Sequence, residues 1–451
     1  MTTVATTPNP RSAVRRAWTP MAVIDHAEGI YLYAKDGTRY LDGAAGSSVC
    51  VNIGHGVKSV RDAMYAQAEK VSYPATHVFA TDVHLALAER IASLAPGNLR
   101  NNCRVWLTCT GTDSVDAAIR LARLYHVAKG NRSKTIVISR WQGFHGNNLG
   151  VTGIHGSTPR RRVYTGMNIN SPHIPPAYCY RCPLEKTYPS CNLKCARMLE
   201  TEIRQQGEEN VAAFIAEPVV GSALGAVPAP DGYFQVIREI CDKYNVLFIA
   251  DEVMTAWGRL GYWFGSEHFG VTPDIIATSK GMTSGYTTLA ATIGREDIWA
   301  PVEAVGVPFL AGHTMDLNPV ACAGVMAVLD YLDQQDLLAN SRETGRYLRE
   351  QLAAIDSPII GDVRGEGMMN GLEIVKDRAT REPFDPKLRV AASLQAEALN
   401  QGLILFACTG CIDGVAGDMM LVTPPLTITR EQVDELVDKL RAALKVVEAA
   451  L

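Results

Sequence analysis

The sequence predicts an α/β protein, and three observations carry that expectation. From about residue 100, short apolar runs alternate with amphipathic stretches of helical period, the pattern of strands lying side by side under helices. Two of the runs, 246–250 and 274–277, read as parallel strands buried on both faces. Each of these ends in polar residues: Asp251 and Glu252 follow the first, Ser279 and Lys280 the second. In open α/β sheets ligands sit in the crevice beyond the strands' carboxyl ends. A carboxylate and an amine held there could serve one aromatic cofactor, with Lys280 bound covalently and Asp251 at a ring nitrogen.

In chain order, residues 1–25 are irregular and punctuated by proline. Residues 29–42 read as a small meander, with Asp36-Gly37 at the tight turn between two strands. Residues 43–56, rich in glycine and serine and without period, form a loop, and 57–71 and 81–93 are amphipathic helices. Strands follow at 104–109, 135–139 and 214–217, with a helix over 114–129, and then the pair described above. Residues 294–307 close this region with a short strand and a helix. Past a boundary near 315 the pattern turns helix-rich, with helices at 318–333, 338–355, 388–401 and 430–451 around a glycine-punctuated strand region at 361–375. No internal repeat or low-complexity tract interrupts it.

At 451 residues the chain can form two or more domains with a large core. Hydrophobic residues at 47% and charged residues at 20% are ordinary for a globular enzyme, and a net charge of -4 gives no reason to expect nucleic acid or an anionic membrane as partner. No apolar run approaches the roughly 20 residues that span a bilayer. The first 24 residues carry three arginines and no acid, with no apolar core behind them, which argues against a secretory signal. A frayed arm is expected there in preference to a transit peptide. The 11 cysteines, an odd number scattered along the chain, are not a disulfide framework, so a cytoplasmic location is expected.

Thr110-Gly111-Thr112-Asp113-Ser114 follows a strand and opens a helix. Its small residues let backbone N–H groups approach an anion at the positive helix end, although the same residues make a plain capping box. In WQGFHGNN (141–148), Phe144 and His145 could lay an aromatic face over a flat ligand, or Phe144 could plug the core. Glu217 ends a strand facing the same crevice, where a cap or salt-bridge role is equally open. Lys280, in TSKGM, is the decisive residue, because burial and cationic neighbours can leave a lysine amine partly neutral and nucleophilic. Cys179, Cys182, Cys191 and Cys195 could hold structural zinc, but the spacing is uncommon, and free thiols packing a loop are preferred, with no metal expected. Cys408-Thr409-Gly410-Cys411 is a second CxxC, placed in a loop, without support for a redox role. Metalloprotease, P-loop, nucleophile-elbow and dinucleotide fingerprints are all absent.

Together these segments resemble the class III (omega-type) aminotransferases, pyridoxal-phosphate enzymes of fold type I. The likeness runs from GAAGSSVCVNIGHG (43–56) to TPPLTIT (423–429), and is carried most by GTDSVDAAIRLAR (111–123), FHG (144–146), EPVVG (217–221), DEVMTAWGRLG (251–261), SKGMTSGY (279–286) and HT…NP (313–319). GDVRGEGMMNGLEIV (361–375) is similar to the family's C-terminal domain signature. The resemblance implies a large pyridoxal-phosphate-binding domain at 61–315, with a mostly parallel seven-stranded sheet flanked by helices. Residues 1–60, an arm and part of a small domain, and 316–451 would form the smaller α+β unit. It implies that Lys280 forms the internal aldimine and shuttles a proton, and that Asp251 pairs with the pyridinium nitrogen. Val253 and Phe144 would press on the ring faces, and Gly111 and Thr112 would hold the phosphate. Thr314 would reach the phosphate of the partner's cofactor, making the unit a homodimer, or a tetramer built from it. Glu217 and His145 would lie near the ring, and Trp18 would form a wall of the substrate pocket.

One departure bears on substrate. Many members carry an arginine before the final Pro-Pro to bind a substrate carboxylate, and neither 418–423 nor 406–417 contains one. Arg162, Arg259 or another arginine would have to substitute. The expected reaction is transfer of an amino group from a primary amine or omega-amino acid to a keto acid such as pyruvate, by ping-pong half reactions. The alternative is a lyase, racemase or decarboxylase built on the same fold.

Overall fold

The apolar runs between residues 103 and 295 pair into one seven-stranded sheet. This is a computed structural model that describes residues 22–451. The strand order across the sheet is Cys103–Thr108, Ala290–Arg295, Ile275–Thr278, Leu247–Asp251, Val211–Ala216, Ile136–Arg140 and His173–Ile174. Only Ala290–Arg295 runs against its neighbours. The other pairings are parallel, so the remaining strands all deliver their carboxyl ends to one edge. Val211–Ala216, Leu247–Asp251 and Ile275–Thr278 are buried at every position. That explains why they read as continuous apolar runs with no period of two. Helix Gly111–Ala128 covers one face with Val115, Ala118, Leu121 and Ala122.

Three smaller sheets accompany it among the described residues, one of them only the pair Val219–Val220 with Val227–Pro228. The meander Ile24–Glu28, Tyr31–Ala34 and Arg39–Asp42 is extended in parallel by Leu403–Ile404, from near the other end of the chain. Strands Ile360–Glu366, Met369–Ile374, Ala416–Val422 and Phe406–Ile412 form an antiparallel sheet. Against it and the meander lie helices Leu337–Ala353, Val390–Asn400 and Arg430–Ala450.

Several expectations need correction. Residues 1–25 were expected to be irregular, yet Ile24–Glu28 opens inside that span as the meander's first strand. The loop expected at 406–417 is a hairpin, so Cys408 and Cys411 sit on a strand with both thiols buried. A register shift between Thr409 and Ile412 breaks the alternation that would have revealed that strand. Helices Lys194–Gln206 and Tyr233–Lys243, absent from the sequence reading, bury Ala196, Leu199 and Ile203, and Phe234, Ile237 and Cys241, at helical spacing.

Candidate active site

Loops leaving five strands of the large sheet meet over its carboxyl edge and enclose a cavity of about 160 Å³. Gly111, Thr112, Phe144, His145, Glu217, Asp251, Val253 and Lys280 all line it. Gly146, Asn147, Met254 and Ser279 line it too. All four lie in stretches singled out from the sequence, Ser279 by name, but none was given a role at the site.

Asp251 ends its strand, 3% exposed. His145 Nδ1 donates to its Oδ2 at 2.6 Å, and the Val253 N–H donates to its Oδ1 at 3.1 Å. A carboxylate can only accept, so the proton of this bond rests on His145 Nδ1. His145 Nε2, equally buried, has no partner among the described residues. Glu217 lies beneath Phe144: its Oε1 accepts the Phe144 N–H at 2.9 Å and its Oε2 accepts the Gly221 N–H at 3.0 Å. Burial, then the neighbouring Asp251 charge, raises its pKa, while His145 and the two N–H donors oppose that rise. Glu217 therefore acts as the clasp of the Phe144 loop.

Lys280 follows the Ile275–Thr278 strand with φ of +45°, in the left-handed region that non-glycine residues seldom occupy. Its residue surface opens partly on the cavity, but the amine is surrounded by protein, and burial lowers its pKa below the ordinary 10.5. Asp251, Cys50 and Glu217 counter that fall, and Arg160 adds to it. A buried lysine with a depressed pKa beside a carboxylate is a nucleophile in waiting.

The opposite wall is the start of helix Gly111–Ala128. Thr110 caps it: Thr110 Oγ1 accepts the Asp113 N–H at 3.3 Å, and Asp113 Oδ2 accepts the Thr110 N–H at 3.0 Å. The capping box and the anion-site readings thus coexist, because the first-turn N–H groups of Gly111 and Thr112 have no helical partner. Glycine is required here by close approach. A Cβ on Gly111 would lie 2.9 Å from Val253 Cγ1, and one on Gly146, at φ +141°, would lie 2.7 Å from Thr112 Oγ1. Gly146→Ala is therefore expected to push Thr112 aside and, with Thr112 holding a cofactor phosphate as the resemblance implies, to weaken its retention on the order of tenfold. Equilibrium dialysis of pyridoxal phosphate against the variant measures it.

Other expected residues lie elsewhere. Thr314 is exposed, its carbonyl accepting the Tyr73 hydroxyl, and it does not line this cavity. Trp18 falls outside the described residues. Arg259 cannot bind a substrate: it is fully buried and donates to the carbonyls of Met368 and Pro424 and to Asn52 Oδ1. Arg162 is exposed in a short turn. Cys179, Cys182, Cys191 and Cys195 border one cavity of about 20 Å³ as free thiols, and among the described residues no three candidate ligands are placed to hold a metal ion.

Three features suit a flat, anionic aromatic aldehyde. They are a buried imidazole nitrogen with no partner among the described residues, a glycine cradle at a helix N-terminus, and a depressed lysine that feels two carboxylates. The family model for aminotransferase class-III matches residues 13–444. Diaminobutyrate–2-oxoglutarate transaminase of Halomonas elongata is 37% identical over 441 residues, covering 96% of this chain and 92% of the relative. Putrescine–pyruvate aminotransferase of Pseudomonas aeruginosa is 35% identical over 434 residues, covering 95% and 91%. Among solved structures, an amine transaminase from an uncultivated Pseudomonas species, in its PLP-bound form, superposes with a TM-score of 0.88. It is 33% identical and covers 97% of this chain and 98% of that one.

Proposed function

The chain belongs to the class III aminotransferase family, and on that premise we propose that it passes an amino group from a primary amine or omega-amino acid to a keto acid such as pyruvate, using pyridoxal phosphate held in the 160 Å³ cavity. The observation that carries the reading is the joint presence of Lys280 and Asp251 on one cavity that also ends at an open helix N-terminus. Pyridoxal phosphate, when bound, supplies an aldehyde that takes the amine and a ring that stores the electron pair. Lys280 would hold the cofactor and move the proton at the substrate carbon that bears the nitrogen. Asp251, oriented by His145, would keep the ring nitrogen protonated. Val253 and Phe144 would flank the ring, with Phe144 held by Glu217. The N–H groups of Gly111 and Thr112 would take the phosphate.

The experiment is a half reaction. The holoenzyme is mixed with a candidate amine such as putrescine, without a keto acid, and the cofactor is then recovered. Stoichiometric pyridoxamine phosphate is expected. Steady release of ammonia with the cofactor unchanged would replace this reading by a lyase.

A cytoplasmic homodimer goes with this function. Exposed apolar side chains at Val163 (81%), Ile169 (75%) and Leu310 (80%) call for a partner surface. Ile169 and Leu310 border a broad apolar hollow of about 880 Å³. Thr314 would then act on the partner's cofactor, and Trp18 would wall the substrate pocket. The division into 1–60, 61–315 and 316–451 fits the sheets, since the meander and the antiparallel sheet lie outside the middle segment. No helix among the described residues is long and apolar enough to cross a membrane.

A further inference from the structure

We propose that Arg160 supplies the cation that binds the substrate carboxylate, a task the last hairpin cannot perform; the proposal rests on the aminotransferase reading above. That hairpin, Phe406–Ile412 with Ala416–Val422, has no arginine. Its glycines instead let another segment come close. A Cβ on Gly414 (φ +81°) would lie 2.2 Å from Thr158 Oγ1, and one on Gly410 (φ +87°) would lie 3.3 Å from Pro159 Cγ. The hairpin thus closes onto residues 158–159, and the next residue is Arg160.

From there the Arg160 guanidinium reaches over Phe144, 4.5 Å from the ring centroid. Phe144 lines the active-site cavity. The Phe144 contact and the approach of the hairpin to residues 158–159 place Arg160 near both the cavity and the hairpin, in keeping with the bearing of its charge on the Lys280 amine and the Cys408 thiol.

Arg160 is half-buried and has no carboxylate partner among the described residues; its hydrogen bond is to Ser157 Oγ at a long 3.4 Å. Arg162 is exposed, and three other arginines are already engaged. Arg161 donates to the His155 carbonyl and to His173, Arg364 pairs with Glu373 and Asp362, and Arg259 is spent on its three oxygens. An aromatic face attracts a guanidinium but does not neutralise it. The planar fork remains free to take a carboxylate through two parallel hydrogen bonds. The substrate class is therefore one with a carboxylate on the reacting molecule, as in a short 2-keto acid or an omega-amino acid.

The test uses the holoenzyme and the variants Arg160→Leu and Arg160→Lys. Kinetics are measured with pyruvate and with propanal, which has no carboxylate, and propionate is titrated through the shift it causes in cofactor absorbance. In Arg160→Leu the KM for pyruvate and the Kd for propionate should rise by about 10- to 100-fold, the size of a lost charge-assisted contact. The loss in kcat/KM with propanal should stay within about threefold, and Arg160→Lys should recover part of the pyruvate affinity. Equal losses with both acceptors, or unchanged propionate binding, would overturn the proposal. If Arg160→Leu does not fold, Arg160→Lys and Arg160→Gln carry the same comparison. If the wild-type enzyme transfers to neither acceptor, the aminotransferase reading has failed, and the propionate titration still decides the role of Arg160.

Discussion

Lys280→Ala should lower kcat by on the order of 10⁴-fold while leaving the fold intact, because on the proposed function it removes both the covalent anchor and the proton carrier. The fold survives because Lys280 is costly as it stands: burial works against its charged form. Alanine at φ +45° inherits the backbone strain and releases the desolvation penalty. The melting temperature of the apo variant should therefore not fall. Borohydride treatment of the wild-type holoenzyme should leave the cofactor mass on the peptide containing Lys280, and a label on any other lysine would refute the assignment. The depressed pKa also sets a pH dependence. Between the folded-state pKa and the ordinary 10.5, the unfolded chain binds the proton and the folded chain does not. This residue's contribution to stability therefore rises with pH across that window. It is lost as pH falls through the folded-state value, and Lys280→Ala should remove that slope. Capture of pyridoxal phosphate by the apo-enzyme should reach its plateau rate below pH 10.5, measured by stopped-flow absorbance. A rate still climbing through 10.5 would mean an unperturbed amine.

Asp251 and Lys280 stood out in the sequence because polar residues at the end of a buried apolar run are conspicuous, and strand ends in this fold class share an edge. The same logic gathered Glu217 and the 144–146 turn into the cavity. What each side chain does there was less legible. Glu217 bonds to the backbone of Phe144, 73 positions away, a contact set by the strand order and not by any local pattern. Arg259 offered itself as a substrate ligand by residue type alone. Its three acceptors at Asn52, Met368 and Pro424 come from segments brought together only by the packing of the smaller sheets. The first arm of the 406–422 hairpin, Phe406–Ile412, escaped notice because glycines and a register shift erase its alternation. Those same glycines admit the segment that carries Arg160. The antiparallel course of Ala290–Arg295 was likewise hidden, since a strand buried on both faces looks alike in either direction.

Asp251→Asn should reduce kcat/KM by about 10³-fold, the scale of losing one preorganised charge from a desolvated site. The substitution keeps the shape, and one oxygen can still accept the Val253 N–H, now at 3.1 Å. The charge-assisted bond to His145 at 2.6 Å is weakened or lost. A buried carboxylate disappears with it, so the two effects on stability oppose each other, and the melting temperature should move by only a few degrees. Activity within about threefold of wild type would refute the role. A second variant separates the two ways in which Asp251 could matter. His145→Asn removes the 2.6 Å bond and leaves the carboxylate in place. If Asp251 faces the cofactor nitrogen directly, His145→Asn should cost far less than Asp251→Asn, on the order of tenfold. Cofactor affinity should then drop in the Asp251 variant and hold in the histidine variant. Losses of equal size would instead show that the aspartate works through the histidine. The unpartnered His145 Nε2 would then be the atom that meets the ligand.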